Sequence, residues 1–168
     1  MGRFFAWLVR VRRPQLIVEF GTAFGVSGMY WLAALEAAGE GRLLTFEPNP
    51  VWQSIAERNL SEVGARYVAV AGTFEASIDS VRQPGEYIDL AFVDAIHTSA
   101  FVRPQVELLI ERLAPNGLIL LDDIAFSPDM RQCWEAFARD DRVAASVVVG
   151  GRVGVLELAP GGGVSPTS

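Results

Sequence analysis

The chain has 168 residues, of which 51% are hydrophobic and 20% are charged, and this is enough apolar material for one domain with its own core. All 14 basic residues are arginine, so the lack of lysine excludes Schiff-base and lysine general-base chemistry. The net charge is −6, and the arginines are dispersed apart from an N-terminal cluster (Arg3, Arg10, Arg12 and Arg13), so we expect no nucleic-acid partner. A single cysteine excludes an internal disulfide, which favours a cytoplasmic location.

Residues 1–14 predict a short amphipathic N-terminal helix that cannot span a bilayer, and we expect no membrane partner. Its apolar side chains predict packing on the domain or on a second copy of the chain, which makes the protein a candidate homodimer. Residues 15–159 are predicted to form the domain. The Gly/Pro/Ser-rich residues 160–168 are predicted to be a disordered tail.

Short aliphatic runs predict five strands in chain order, at Leu16–Phe20, Leu43–Phe46, Tyr67–Ala71, Ile88–Val93 and Leu118–Leu121. The segments between and after them predict helices near Ser27–Ala38, Val51–Val63, Phe74–Val81, Ser99–Leu113 and Pro128–Arg139. The Pro115-Asn116-Gly117 turn is expected to end the fourth of these helices. Strands that alternate with helices in this way predict a parallel sheet.

The pattern changes after the last helix, where Val143–Val149 and Arg152–Leu158 flank Gly150-Gly151, a two-residue hairpin signal. The predicted fold is therefore an α/β, doubly wound, Rossmann-like sheet of seven strands, mostly parallel with a C-terminal antiparallel hairpin. Ligands of such sheets bind beyond the carboxyl ends of the strands, so the polar residues at those ends are the candidate functional residues.

The segment Val18–Gly28 predicts a buried strand, a glycine-rich turn and the start of a helix. A dinucleotide fingerprint would place glycine at position 23, where this chain has Ala23, so a pyrophosphate is disfavoured. A cofactor without phosphates needs an acidic partner for its ammonium group, and Glu19 could supply one. The alternative is an ordinary glycine turn. The candidate cofactor contacts here are Glu19, Gly21, Thr22, Ala23 and Ser27.

Two later strand ends extend the predicted cofactor site. Glu47, followed by Pro48, lies at the distance from the glycine loop at which an acidic residue accepts hydrogen bonds from ribose hydroxyls, and the alternative is that it stabilises the next helix N-terminus. Thr73 and Phe74 could supply a polar contact and an apolar wall for an adenine ring. The alternative is an ordinary helix start with Phe74 in the core.

Three carboxylates follow the fourth and fifth strands: Asp94, Asp122 and Asp123. Together they could form an oxygen-rich site for Mg²⁺ or another divalent cation, or they could serve as caps and solvated side chains. His97 is the only histidine and lies three residues after Asp94, so it could take a proton from a substrate hydroxyl or act as a structural hydrogen-bonding group.

The motifs VEFGTAFGVS, LLTFEP, YIDLAFVDAIH and LAPNGLILLDD resemble, in order and spacing, those of class I S-adenosylmethionine-dependent methyltransferases over residues 15–125. The nearest resemblance is to the small-molecule O-methyltransferases of the catechol and caffeoyl-coenzyme A type. It implies S-adenosylmethionine as cofactor, with Asp94 among its contacts, and a metal at Asp94, Asp122 and Asp123. That family has asparagine where this chain has Asp123.

The same resemblance implies the catalytic residues. The family has a general-base lysine where this chain has His97. Related bacterial methyltransferases have the pattern D-x-x-H at this point, as Asp94 and His97 do here. The resemblance therefore implies catalytic roles for His97 and Asp94. Family members usually carry extra N-terminal helices over the acceptor, so we expect an open pocket or one completed by another subunit. The sequence thus predicts metal-assisted methyl transfer to a hydroxyl of a small phenolic or diol acceptor. The alternatives are a non-catalytic cofactor-binding module and a nicotinamide-dependent oxidoreductase.

Overall fold

The computed structural model describes residues 1–94 and 96–160, so residues 161–168 of the predicted tail lie outside it. Its strands form one seven-stranded sheet in the order β3-β2-β1-β4-β5-β7-β6, numbered along the chain. The pairing is parallel except at the last two strands, which are antiparallel. The predicted fold class is therefore confirmed. The chain divides into two compact units, Met1–Glu86 and Tyr87–Ser168, and the single domain predicted for residues 15–159 stays a prediction.

The first unit alternates helices with parallel strands. Val18 of its first strand lies opposite Leu44, and Thr45 lies opposite Ala69. The first strand is buried along its whole length, as expected for a parallel strand that is covered on both faces. The elements are α1 (Gly2–Arg12), β1 (Leu16–Phe20), α2 (Val26–Ala38), β2 (Arg42–Glu47), α3 (Pro50–Ser61), β3 (Tyr67–Ala71) and α4 (Phe74–Val81).

Helix α1 lies where the short N-terminal helix was predicted. It packs on α2 through Phe5, whose ring is stacked on that of Trp31 with the centroids 3.8 Å apart. Both rings are buried, whereas Trp7 is 48% exposed. Burial of a large aromatic side chain contributes several kcal/mol, so α1 is anchored to this unit. None of the helices in the described part of the chain has the length and apolar character needed to cross a membrane.

The second unit holds the remaining strands of the sheet. Leu90 pairs in parallel with Leu118, and Leu121 pairs in antiparallel fashion with Gly154. The elements are β4 (Ile88–Val93), α5 (Ser99–Ile110), β5 (Leu113–Leu121), α6 (Pro128–Phe137), β6 (Val143–Val149) and β7 (Val153–Leu158).

Strand β5 differs from its prediction, because it begins at Leu113 rather than Leu118. Ile88 pairs with Leu113 and Leu90 pairs with Leu118, so the Pro115-Asn116-Gly117 segment is a bulge inside the strand and not the turn that ends α5. Asn116 takes a left-handed φ of 61°, which asparagine tolerates. Turn residues mark a local change of direction, whereas the pairing with β4 decides whether the strand continues on both sides.

The predicted hairpin turn is present between β6 and β7. Gly150 and Gly151 have φ values of 61° and 68°, and the Arg152 N–H donates to the Val149 carbonyl over 3.2 Å. Two consecutive left-handed residues are the requirement of a type I′ turn, which glycine meets without steric cost. The turn therefore fixes the backbone of Arg152 directly before β7.

An ion-pair cluster joins α5 to the start of β6. The Arg142 guanidinium donates to Asp140 through Nη2, over 2.7 Å to Oδ2, and to Glu107 through Nη1, over 2.7 Å to Oε2. The hydrogen bonds from Arg142 lower the pKa of Asp140 to about 2. A carboxyl group whose pKa is lowered by folding stabilises the folded state wherever it is ionised.

We expect Asp140→Asn to lower the free energy of unfolding by about 1 kcal/mol at neutral pH. The contribution of Asp140 is complete above its ordinary pKa of 3.8 and is lost as the pH falls through about 2, so the difference between the two proteins should be smaller at pH 3 than at pH 7. Urea unfolding at both pH values measures this. The exposed neighbour Asp141→Asn is the matched control, and equal losses in the two variants would contradict the prediction.

Candidate active site

The glycine loop between β1 and α2 is held in left-handed conformations. Gly21 and Gly25 have φ values of 84° and 81°, and Ala23 has 46°. The N–H groups of Gly21 and Thr22 both donate to the Phe46 carbonyl, each over 3.2 Å, which ties the loop to the end of β2. Ala23 thus adopts a conformation that glycine prefers, at a cost of about 1 kcal/mol, and the surrounding contacts must hold it there.

Glu47, the last residue of β2, provides one of those contacts. Its Oε2 accepts from the Ala23 N–H over 2.9 Å, and its Oε1 accepts from the Asn49 N–H over 2.8 Å. The residue is only 5% exposed. Each carboxylate oxygen has two lone pairs, so one on each oxygen remains for a ligand hydroxyl. The predicted ribose contact stays a prediction, and Glu47 also has a structural role that the sequence did not reveal.

Glu19 is fully buried beneath the loop. Its Oε2 accepts from the Thr45 hydroxyl over 2.7 Å, and Thr45 in turn is hydrogen-bonded to the Thr22 hydroxyl over 2.5 Å. With no exposed surface, this carboxylate is out of reach of a ligand ammonium in the present conformation. The structure therefore gives Glu19 and Thr22 a role inside the loop, and their direct contact with a cofactor stays a prediction.

The other predicted cofactor contacts occupy different environments. Ser27 is half-buried in the first turn of α2, and Pro48 is exposed after β2. Thr73 is the N-cap of α4, where its hydroxyl accepts from the Ala76 N–H over 3.4 Å. Phe74 is 1% exposed and is stacked on Phe20 with the ring centroids 3.9 Å apart. Apolar packing thus places this side chain in the core, and its predicted contact with an adenine ring stays a prediction.

The second unit brings the other predicted residues together at the ends of β4 and β5. His97 Nε2 lies 3.7 Å from Asp94 Oδ1 and 3.6 Å from Asp123 Oδ2. These distances are too long for good hydrogen bonds, but a protonated imidazole would form an ion pair with both carboxylates. All three side chains are between 21% and 30% exposed, so they are open to a ligand.

Arg152 completes this cluster, and the sequence did not identify it as a site residue. Its Nε and Nη2 donate to Asp122 Oδ1 and Oδ2 over 2.7 and 2.6 Å, and its Nε lies 2.9 Å from Asp123 Oδ1. The hydrogen bonds that Arg152 donates to Asp122 raise the pKa of Arg152, and this fork geometry is the strong form of an arginine–carboxylate pair. The sequence signal that could have identified Arg152 was the predicted hairpin. Its second strand, β7, had to pair with a neighbouring strand, and Arg152 directly precedes β7.

Asp94 is the carboxylate with the most perturbed proton affinity in the cluster. Burial raises the pKa of Asp94 to about 6, and the negative charge of Asp122 adds to the rise, while His97 and Arg152 oppose it. Carboxyl groups with a shifted pKa in partly exposed clusters are typical of functional sites, so this cluster is a candidate active site.

The residues of this cluster do not fit the divalent cation that the resemblance implies. Both oxygens of Asp122 accept from Arg152, and Asp123 shares the same guanidinium. Within residues 1–94 and 96–160, no group of three or more His, Cys, Asp or Glu side chains is arranged to hold a metal ion. A metal at Asp94, Asp122 and Asp123 therefore stays a prediction that the geometry does not support.

An exposed aromatic ring borders the cluster. Phe126 is 69% exposed, and its ring centroid lies 5.4 Å from that of His97. It also lines a shallow groove of about 340 Å³ that runs along the start of α6. A larger groove, of about 380 Å³, lies between α1 and α2 and contains none of the predicted site residues, so size alone does not locate the chemistry.

Comparison with known protein families shows which family the chain belongs to. A family model described as a methyltransferase domain matches residues 18–124, well over half of the sequence. The chain belongs to this methyltransferase-domain family. The match covers the glycine loop, Glu47, His97 and all three aspartates of the predicted site, whereas Phe126 and Arg152 follow the matched residues.

Two curated relatives of this methyltransferase-domain chain come from mycobacteria. A candidate O-methyltransferase from Mycolicibacterium vanbaalenii is 30% identical over 150 residues, which is 86% of this chain and 62% of that protein. One from Mycolicibacterium smegmatis is also 30% identical over 150 residues, with 86% and 66% covered. The chain therefore spans about two thirds of the length of these relatives.

Solved methyltransferase structures share the fold. The O-methyltransferase TomG from Streptomyces achromogenes, in complex with SAM, superposes with a TM-score of 0.77 at 23% identity, over 95% of this chain and 79% of that one. The O-methyltransferase from Bacillus cereus, in complex with SAH, gives 0.73 at 21% identity, over 94% and 80%. At these identities the likeness concerns the fold, and it agrees with the sheet described above.

The contacts of Glu47 lead to a test of the loop. Replacing Glu47 with Gln puts an amide NH₂ where one carboxylate oxygen now accepts, so one buried backbone N–H loses its partner. We expect a loss of about 1–3 kcal/mol in the free energy of unfolding. Glu57→Gln, on the exposed face of α3, is the control and should change it little. Chemical denaturation of the wild type and the two variants measures these free energies. An unchanged stability for Glu47→Gln would contradict a structural role for the hydrogen bonds to Glu47.

Proposed function

We propose that this protein transfers a methyl group from S-adenosylmethionine to a hydroxyl oxygen of a small aromatic acceptor. The observation that carries the proposal is the position of His97, the single histidine of the chain, between two carboxylates and next to the exposed ring of Phe126. Membership of the methyltransferase-domain family supports the donor, and the curated relatives' description as O-methyltransferases supports oxygen as the acceptor atom.

The first unit would hold the donor. Its glycine loop would let the backbone approach the donor, and Glu47, which accepts one backbone N–H on each oxygen, would have a further lone pair on each for the two ribose hydroxyls. When bound, S-adenosylmethionine supplies an electrophilic methyl carbon on its sulfonium. The protein's part at this end is to orient the donor, and well-oriented reactants lower a barrier by as much as about 7–11 kcal/mol.

The second unit would activate the acceptor. His97 would take the proton of the acceptor hydroxyl when its oxygen accepts the methyl group that S-adenosylmethionine would supply as it becomes a neutral thioether. The imidazolium that forms is stabilised by Asp94 and Asp123, each within 3.7 Å of Nε2. A phenolic ring is the acceptor that suits an adjacent exposed Phe126, because aromatic rings attract one another in offset or tilted geometry.

The metal-assisted form of the reaction, which the sequence predicted, is not part of this proposal, because Arg152 occupies the carboxylate oxygens that a cation would need. The predicted homodimer, the cytoplasmic location and the lack of a nucleic-acid partner stay predictions. Light scattering of the purified chain is the direct measurement of the oligomeric state.

A two-step experiment tests the proposal. Calorimetric titration with S-adenosylmethionine should show micromolar binding for the wild type and for His97→Ala alike. Methyl transfer to catechol should fall about 10²–10⁴-fold in His97→Ala, because the variant has lost its general base. Arg139→Ala, at an exposed position of the chain, is the control and should keep full turnover.

Three results would be informative against the proposal. No binding of S-adenosylmethionine by the wild type would reject the donor. Binding without transfer to any phenol or diol would favour the non-catalytic cofactor-binding module. Full turnover in His97→Ala would show that another group takes the proton.

A further inference from the structure

The cluster at the ends of β4 and β5 contains a fixed positive charge. Asp122 is only 4% exposed, and a carboxylate buried to this degree requires a counter-charge. Arg152 supplies it through two parallel hydrogen bonds of 2.7 and 2.6 Å. The same guanidinium also pairs with Asp123, so two of the three predicted metal ligands share one cationic partner.

The backbone holds Arg152 in this position. Its N–H donates to the Val149 carbonyl within the type I′ turn, and its carbonyl accepts from the Ile124 N–H over 3.1 Å. One bond fixes the residue to the hairpin and the other fixes it to the segment that follows the two aspartates. Although 56% of the Arg152 side chain is exposed, its charged end meets a buried partner, so the contact is part of the fold and not a chance surface pair.

A divalent cation and this guanidinium compete for the same oxygens. Mg²⁺ binds carboxylate oxygens at about 2.0–2.1 Å and requires lone pairs that point at the ion. At Asp122, Oδ1 accepts from Arg152 Nε and from the Asp123 N–H, and Oδ2 accepts from Arg152 Nη2, so only one of the four lone pairs of this carboxylate is left. A second cation beside the guanidinium would also be repelled by it at short range, where the interaction is strong. The two arrangements therefore exclude each other.

We propose that Arg152 permanently takes the place of the divalent cation at this site and positions Asp123 for the pairing with His97, so that the protein acts without a metal. This inference rests on the proposed methyl transfer for its catalytic meaning, and it makes Arg152 a positioning residue. Without a metal ion to lower the pKa of the acceptor hydroxyl, His97 is the group that removes the proton, and Asp94 and Asp123 stabilise the imidazolium that forms.

Metal binding tests the inference without any activity measurement. Mn²⁺ is the probe, and its free concentration is followed by electron paramagnetic resonance during titration of the protein. The wild type should bind no Mn²⁺ in the micromolar range. Arg152→Ala, which opens three carboxylates, should bind Mn²⁺ about a hundredfold more tightly than the wild type or better, because a unit positive charge at contact distance has been removed.

Two further variants keep this test interpretable. Arg152→Gln retains most of the side-chain bulk and should gain Mn²⁺ affinity in the same direction if the alanine variant does not fold. Arg139→Ala removes an exposed arginine that follows α6 and pairs with Glu135 of that helix, and it should bind Mn²⁺ no better than the wild type. Circular dichroism and thermal unfolding confirm that each variant is folded. Addition of EDTA should leave wild-type methyl transfer unchanged.

Micromolar Mn²⁺ binding by the wild type would overturn the inference, and so would a lack of any gain in a folded Arg152→Ala or Arg152→Gln. These outcomes are independent of the proposed function. If the wild type neither binds S-adenosylmethionine nor transfers a methyl group, the proposed function fails. The Mn²⁺ titrations would still show whether Arg152 keeps a divalent cation from this site. EDTA-sensitive transfer by a wild type that does transfer would overturn the metal-independent reaction.

Discussion

A buried carboxylate at the end of β5 constrains the whole second unit. Asp122 is 4% exposed, and a charge removed from water to this extent is tolerated only when another charge and hydrogen bonds replace the lost solvation. The C-terminal hairpin meets that requirement, because its type I′ turn delivers Arg152 to both oxygens of Asp122. The hairpin thus completes the sheet and also supplies the cation of the candidate active site.

The first unit also has a buried carboxylate at a strand end, Glu47, and it is stabilised by a different kind of partner. Glu47 is as buried as Asp122, but its oxygens accept from two backbone N–H groups and not from an arginine. Backbone donors satisfy a carboxylate while they fix a loop, and they leave lone pairs for ligand hydroxyls. Carboxylates that look alike in the sequence therefore have different functions: one shapes a loop, and the other anchors a guanidinium.

The order and type of the elements could be predicted because apolar periodicity and glycine or proline punctuation are local signals. β1, β3, α4, β4 and β6 have the predicted bounds. The prediction was wrong at β5, where a strong turn signal at Pro115-Asn116-Gly117 is overruled by pairing with β4 on both sides of a bulge. At Phe74 the sequence left two roles open, because an apolar side chain after a strand fits a ligand wall and a core equally well, and the structure packs its ring against Phe20 in the core.

The sequence by itself determined the fold class, the glycine loop and the set of polar residues at the strand ends, because these depend on local pattern and on the rule that ligands meet the carboxyl ends of parallel strands. Only the tertiary structure decided what those residues contact. Arg152 lies 30 residues after Asp122 along the chain, and their pairing follows from the antiparallel register of β7 on β5. Long-range pairing of this kind depends on how strands assemble, which no local pattern encodes, and it brings an arginine to two of the three predicted metal ligands.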